Sequence, residues 1–167
     1  IKNLTKGPLI LVGSSMGGWV MLKVALKISD RVRGLIGIAA APDFTIDNHW
    51  KKILKDNEKF FKEKGYIEVP SGYQDSPYII SKKLIDSGTK NLLLHSDIEI
   101  NCPIRLLHGS IDKDVPVEKS LKLLENLQSK DLQLTIVRDA NHQFSTEENL
   151  VLICKQVDEL TDIISKQ

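Results

Sequence analysis

Residues 13–17 read Gly-Ser-Ser-Met-Gly, the pattern G-x-S-x-G, set between an apolar run and a segment of helical spacing. A serine held on a sharp strand-to-helix turn projects its hydroxyl above the end of the strand, where it can attack a carbonyl. Small residues two positions before and after leave room for such a turn, a role that falls to Gly13 and Gly17. Ser14 has Val12 and Met16 at those offsets, so Ser15 is the candidate nucleophile. The first N–H groups of the helix behind it have no intrahelical acceptor, which makes the Met16 amide a candidate donor to an oxyanion.

A serine nucleophile needs a base, and the base needs an orienting carboxylate. His142 sits in RDANHQFS, between a strand-like run and the last helical segment. His108 lies inside the apolar run CPIRLLHG and reads as a core or near-site polar residue, while His49 and His95 read as surface. The stretch HGSIDKDVP offers two carboxylates, Asp112 and Asp114, in the loop after that same run. Chain order is then serine, acid, histidine. The chemistry is acyl transfer through an ester on the serine, with no metal and no cofactor expected.

These residues must be positioned by the elements around them. PLILVG (8–13), GLIGIAAAP (34–42), CPIRLLHG (102–109) and LQLTIVRDA (132–140) are short apolar runs of the kind found in strands buried on both faces. Between them lie helical patterns at 19–29 and 116–130, and a last helix follows STEEN, with Ser145 or Thr146 as its cap. Strands alternating with helices predict a parallel sheet with right-handed crossovers, an α/β layered fold. Its strands would carry Ser15, the acid loop and His142 to one edge.

Residues 43–99 break this rhythm. Seven of the nine aromatics fall there: Phe44, Trp50, Phe60, Phe61, Tyr66, Tyr73 and Tyr78. Residues 50–61 and 76–88 fit amphipathic helices, the second ending at Gly88. The segment predicts a helical lid, with Trp50, Phe60 and Phe61 as candidate lining of an apolar substrate pocket. Domain bounds follow: 1–42 and 100–167 for the core, 43–99 for the insertion.

GSSMGG, HGSIDKDVP and DANHQFS together resemble the elbow, acid loop and histidine loop of the α/β hydrolases. The acid loop resembles HG-x-x-D-x-x-VP in that family, which implies Asp112, not Asp114, as the acid. APDFT, VPSGY and CPIRLLHG further resemble a branch of small bacterial hydrolases related to a mitochondrial palmitoyl-protein thioesterase. The resemblance implies a serine hydrolase of esters or thioesters with an apolar acyl group. It also implies several strands ahead of the elbow, one of them followed by a loop giving a second oxyanion donor. Only IKNLTKG precedes the first run here. The expectation is therefore a C-terminal half of the fold, with Leu9–Val12 as an unguarded edge where the chain self-associates or takes a partner chain.

Composition narrows the partners. Lys plus Arg is 23 and Asp plus Glu is 22, which gives no electrostatic case for nucleic acid. No apolar run is long enough for a membrane span, and no leader is visible. Cys102 and Cys154 show no metal-ligand spacing and read as buried thiols in a reducing compartment, so a cytoplasmic protein is expected.

Overall fold

A computed structural model describes residues 5–73 and 75–166. The chain divides into two compact units: the described residues up to Pro42 together with those from Leu94 onward, and Asp43–Leu93.

The first unit is a four-stranded parallel sheet. Its strands are β1 (Leu9–Ser14), β2 (Val32–Ile38), β5 (Ile104–Gly109) and β6 (Leu132–Val137), in the order β1-β2-β5-β6. Register runs Val12 beside Ile36, Ile36 beside Arg105, and Leu106 beside Leu134. Three helices serve it: α1 (Met16–Lys27), α5 (Glu118–Asn126) and α6 (Glu147–Ser165). Helices α1 and α6 both pack on β1 and β2. Gly34 lies against Leu160 of α6, and Gly37, of opposite strand parity, lies near Met21 of α1, so the two helices cover opposite faces. Ile36, Ile38, Leu107, Ala140, Phe144 and Leu160 form the core on the α6 side. Each of the larger side chains, Ala140 aside, contributes about 1.5–3 kcal/mol on burial.

The two inner strands are buried as the apolar runs suggest, but the outer ones are not. Val12 of β1 is 51% exposed and Ile136 of β6 is 48% exposed. Both are edge strands among the described residues, each with one paired side. Full burial of an unbroken apolar run needs a paired neighbour on each side, and among the described residues each of these two has only one.

Arg105 stands out in β5, with 2% of its surface exposed. Burial opposes its charge. Asp131 at 2.8 Å and Glu159 at 2.7 Å outweigh this and hold the guanidinium protonated, its pKa above the ordinary value. Cys102 is half-buried, and burial pushes its thiol up to about 11. Cys154 is exposed, contrary to the expected buried thiol, because Ile153, Val157 and Leu160 take the inward face of α6. Thr146 caps that helix, accepting the Asn149 N–H at 3.4 Å.

The second unit holds a short 3-10 turn (Phe44–Ile46), α2 (Asn48–Asp56), α3 (Glu58–Lys64), the antiparallel pair β3 (Tyr66–Val69) and β4 (Tyr78–Ser81), and α4 (Lys82–Thr89). The expected helix over 76–88 is thus half strand. Tyr-Ile-Ile favours extended backbone and pairs with Tyr-Ile-Glu-Val, after which Ser81 caps α4 by accepting the Leu84 N–H at 3.1 Å. Gly88 lies inside α4 instead of ending it. Gly65, at φ 75°, does terminate α3. Both oxygens of the buried Asp43 carboxylate accept the Leu93 N–H, at 2.8 and 3.1 Å, so the first and last residues of the unit are stapled together.

Candidate active site

Ser15 stands between β1 and α1 with φ 52° and ψ −123°, outside the ordinary regions for a residue with a side chain. Such backbone costs on the order of 1–3 kcal/mol and persists only where neighbours hold it. They do so here through three backbone bonds. Ser15 N–H donates to Ile38 at 2.9 Å, and the Ser15 carbonyl accepts from Gly18 and Ala41, both at 3.0 Å. The turn after β2 therefore clamps the elbow.

The glycines divide differently from the expectation. A Cβ on Gly13 would sit 2.6 Å from the Gly17 carbonyl oxygen, so Gly13 is sterically required. A Cβ on Gly17 would meet nothing within 4 Å, so no surrounding atom of the described chain demands glycine there. The demand falls on Gly18 instead, whose Cβ would lie 2.5 Å from that of Ala40. The double glycine in GSSMGG is the available signal, and spacing alone does not separate the steric demand at Gly18 from that at Gly17. Met16 opens α1, where the helix leaves its N–H groups without intrahelical acceptors.

The acid and histidine loops rest on each other. A Cβ on Gly109 would lie 2.2 Å from the Ala140 carbonyl oxygen, so glycine there lets the histidine loop close onto the end of β5. Ile111 N–H then donates to Ala140 at 3.1 Å, and Ser110 Oγ accepts the N–H of Asp139, a residue at φ 59°. Asn141 Oδ1 accepts the Gln143 and Phe144 N–H groups and fixes the turn that carries His142.

These loops bring three side chains together. His142 Nε2 is 3.1 Å from Ser15 Oγ, and His142 Nδ1 is 2.8 Å from Asp112 Oδ2. Asp112 Oδ1 accepts the Asp114 and Val115 N–H groups, both at 2.9 Å. The Asp112 side chain is 1% exposed and that of His142 15%. Burial would raise the Asp112 carboxyl, but the His142 hydrogen bond and the two backbone donors outweigh it and hold it below the usual range. Burial would likewise lower His142. The Asp112 hydrogen bond, with the charges of Asp112 and Asp114, lifts it above the ordinary imidazole value instead.

Asp112, Asp114 and His142 present ligand atoms within 4.8 Å of one another, a spacing that could hold a cation. Nδ1 of His142 and both oxygens of Asp112 are already engaged with each other and with backbone, which suits an acid–base pair better.

The aromatics named for a pocket lie in the second unit. Trp50 of α2 is half-buried and packs edge-on against Phe44, with ring centroids 5.3 Å apart. Phe60 is 50% exposed and lines a cleft of about 250 Å³ with Asn57, Lys64, Tyr66, Ile67 and Glu68. Phe61 is half-buried. Trp50 thus contributes to the unit's own core.

The description Prolyl oligopeptidase family matches residues 4–161, nearly the whole chain. The chain belongs to this family of α/β hydrolases. Palmitoyl-protein thioesterase ABHD10, mitochondrial, of Homo sapiens is 35% identical over 166 residues, covering 99% of this chain and 54% of that protein. The chain spans about half the length of the curated relatives it matches, 54% for that of Pongo abelii. Among solved structures, alpha/beta hydrolase domain-containing protein 10 from mouse superposes with a TM-score of 0.82 at 33% identity, over 97% of this chain and 65% of that one. The monoacylglycerol lipase of Paleococcus ferrophilus, with a TM-score of 0.67 at 18% identity over 93% of this chain and 69% of that one, shares the α/β-hydrolase fold alone. No described helix of this family member is long and apolar enough to cross a membrane.

Proposed function

We propose that this chain carries the acyl-transfer machinery of a serine hydrolase acting on esters or thioesters with an apolar acyl group. The observation that carries the reading is the chain of contacts from Ser15 Oγ through His142, at 3.1 Å, to Asp112, at 2.8 Å. Nδ1–H of His142 donates to the carboxylate, which leaves the Nε2 lone pair facing the hydroxyl. Ser15 Oγ attacks the substrate carbonyl carbon as its proton passes to Nε2, and the Met16 N–H takes the developing oxyanion. The C–O or C–S bond then breaks, and Nε2–H protonates the leaving alcohol or thiol. Water attacks the acyl-serine, gives its proton to Nε2, and releases the acid and free Ser15. Asp112 stays ionised throughout and offsets the imidazolium charge.

A thioester substrate is favoured by the 35% identical palmitoyl-protein thioesterase. The exposed Phe60 and its cleft are the candidate apolar surface of the second unit among the three aromatics. The named relative is mitochondrial, so the expected cytoplasmic placement gives way to a broader one, a reducing compartment that keeps both cysteines free. The test is a fluorophosphonate probe with mass mapping, followed by thioester hydrolysis over a series of acyl lengths. Labelling at Ser15 and a rate rising from acetyl to octanoyl are expected. A labelled chain with a flat series would leave the hydrolase and remove the apolar pocket.

A second reading concerns assembly. Val12 is 51% exposed on the open edge of β1, and Met16 and Val20 on α1 are 44% and 54% exposed. Such a surface suits completion of the sheet by another chain or a second copy, with full activity only in the assembled form.

A further inference from the structure

His108 is fully buried in β5 and takes no direct part in the steps above, yet both its ring nitrogens are committed. Nε2 lies 2.9 Å from the Val115 carbonyl oxygen and Nδ1 lies 2.7 Å from Ser120 Oγ. A carbonyl can only accept, so Nε2 carries the proton. Nδ1 is then the acceptor, and the Ser120 hydroxyl donates to it. For a neutral ring this sets a single tautomer without reference to Asp112. The same Nε2 lies 3.5 Å from Asp112 Oδ2, the oxygen that faces His142. At that distance the contact is electrostatic, since the N–H is donated to Val115. Both side chains are sealed from water, His108 at 0% and Asp112 at 1% exposure, so the positive end of the imidazole dipole acts on the carboxylate with little screening.

We propose that His108 is a positioning residue for the acid, pinning the 112–115 loop to α5 through the Val115 carbonyl and setting its ring dipole beside Asp112 Oδ2 so that this oxygen stays aimed at His142. The inference rests on the serine-hydrolase reading and adds to it a second imidazole on the same carboxylate. The geometry makes the arrangement directional. Ser120 of α5 holds His108, His108 holds the Val115 carbonyl, and the Val115 N–H holds Asp112 Oδ1. The ionisable groups around the cluster are Asp112 and Asp114 of the acid loop and His142 of the loop after β6. Removing the His108 ring leaves the Asp112 charge without that dipole, so it pulls harder on the His142 proton.

The test compares His108→Leu, which deletes the donor, with His108→Gln, whose amide N–H can reach the Nε2 position. His108→Leu is expected to lower kcat about tenfold with KM little changed, against the roughly 10⁴ lost when the acid itself is removed. The acid limb of its pH profile should rise by about half a pH unit. His108→Gln should recover most of both effects. Heteronuclear NMR of the histidine-labelled chain reads the same quantity without turnover. In the wild type, His108 should show the Nε2–H tautomer that its Val115 contact requires. An Nδ1–H tautomer, or a His142 titration unmoved in His108→Leu, overturns the proposal. If His108→Leu does not fold, Ser120→Ala takes its place, with a smaller shift of the same sign, and an unmoved His142 again overturns it. Absence of probe on wild-type Ser15 would sink the hydrolase reading alone, since the NMR titration still decides what His108 does to Asp112.

Discussion

Oδ2 of Asp112 lies 2.8 Å from Nδ1 of His142, while Oδ1 of the same carboxylate takes two backbone N–H groups of its own loop. One side chain therefore shapes the loop and selects the imidazole tautomer. Replacing Asp112 with Asn puts an amide where a charge belongs, and turnover should fall by roughly 10⁴ with KM little altered. Ser15→Ala should cost roughly 10⁶. Steady-state kinetics on a short thioester checks both, and an Asp112→Asn enzyme within tenfold of wild type would mean the acid lies elsewhere.

The raised pKa of His142 has a sign that can be measured. The base must be neutral to accept the serine proton, and a raised value keeps it protonated to higher pH. The acid limb of kcat/KM should therefore have its midpoint above the ordinary imidazole value of about 6.5. The charge of Asp114 contributes to that rise and is exposed to solvent. Asp114→Asn should move the midpoint down, and added salt should do the same in the wild type. A midpoint indifferent to both would remove Asp114 from the electrostatics of the site.

The same pair links stability to pH. Asp112, held low, contributes stability above its unfolded value that is lost as pH falls through its folded one. His142, held high, contributes below its unfolded value, and the gain is lost as pH rises through its folded one. Their joint contribution is greatest at roughly pH 4 to 6.5. Thermal melts across that window should show a gap between wild type and His142→Gln that narrows on both sides. A gap constant with pH would show that the pair is not the source.

Two adjacent glycines should behave oppositely. Gly18→Ala drives a Cβ to 2.5 Å from that of Ala40 and should cost about 1–3 kcal/mol through the strain it imposes. Gly17→Ala meets open space on a helix and should be neutral or gain up to about 1 kcal/mol. Denaturant titration of the two variants decides the order, and equal losses would count against this account of the elbow.

The open edge of β1 has a consequence in solution. With Val12 half-exposed and no lysine within the strand, the chain should elute as a dimer or larger species, and Val12→Lys should shift it to monomer. A wild-type chain that stays monomeric at high concentration, with fast amide exchange along Leu9–Val12, would show the edge to be tolerated.

The inner strands and the elbow were legible because one physical demand dominated each: unbroken apolar burial for Ile36 and Leu106, room for a sharp turn for Gly13. Elsewhere two demands competed. Tyr78, Ile79, Ile80, Leu84 and Ile85 satisfy a helical period, yet the local β-preference of Tyr-Ile-Ile won because Tyr66–Val69 was available to pair with it. Gly17 and Gly18 could not be separated without knowing that Ala40 returns beside the elbow. The orientation of Cys154 depended on which stripe of a long helix met the sheet. His108 reads only as a core or near-site polar residue because its partners, Val115 and Ser120, follow it by a loop and a turn whose closure apolar periodicity does not report.

The Asp43 staple gives the inserted segment a property of its own. Because its first carboxylate grips its last amide, residues 43 to 93 leave and rejoin the chain at neighbouring points. A segment closed at its own base can be exchanged for a longer, shorter or differently shaped one while Pro42 and Leu94 keep their spacing. The segment could then diversify by cassette replacement, with Ser15, Asp112 and His142 inherited unchanged on the sheet.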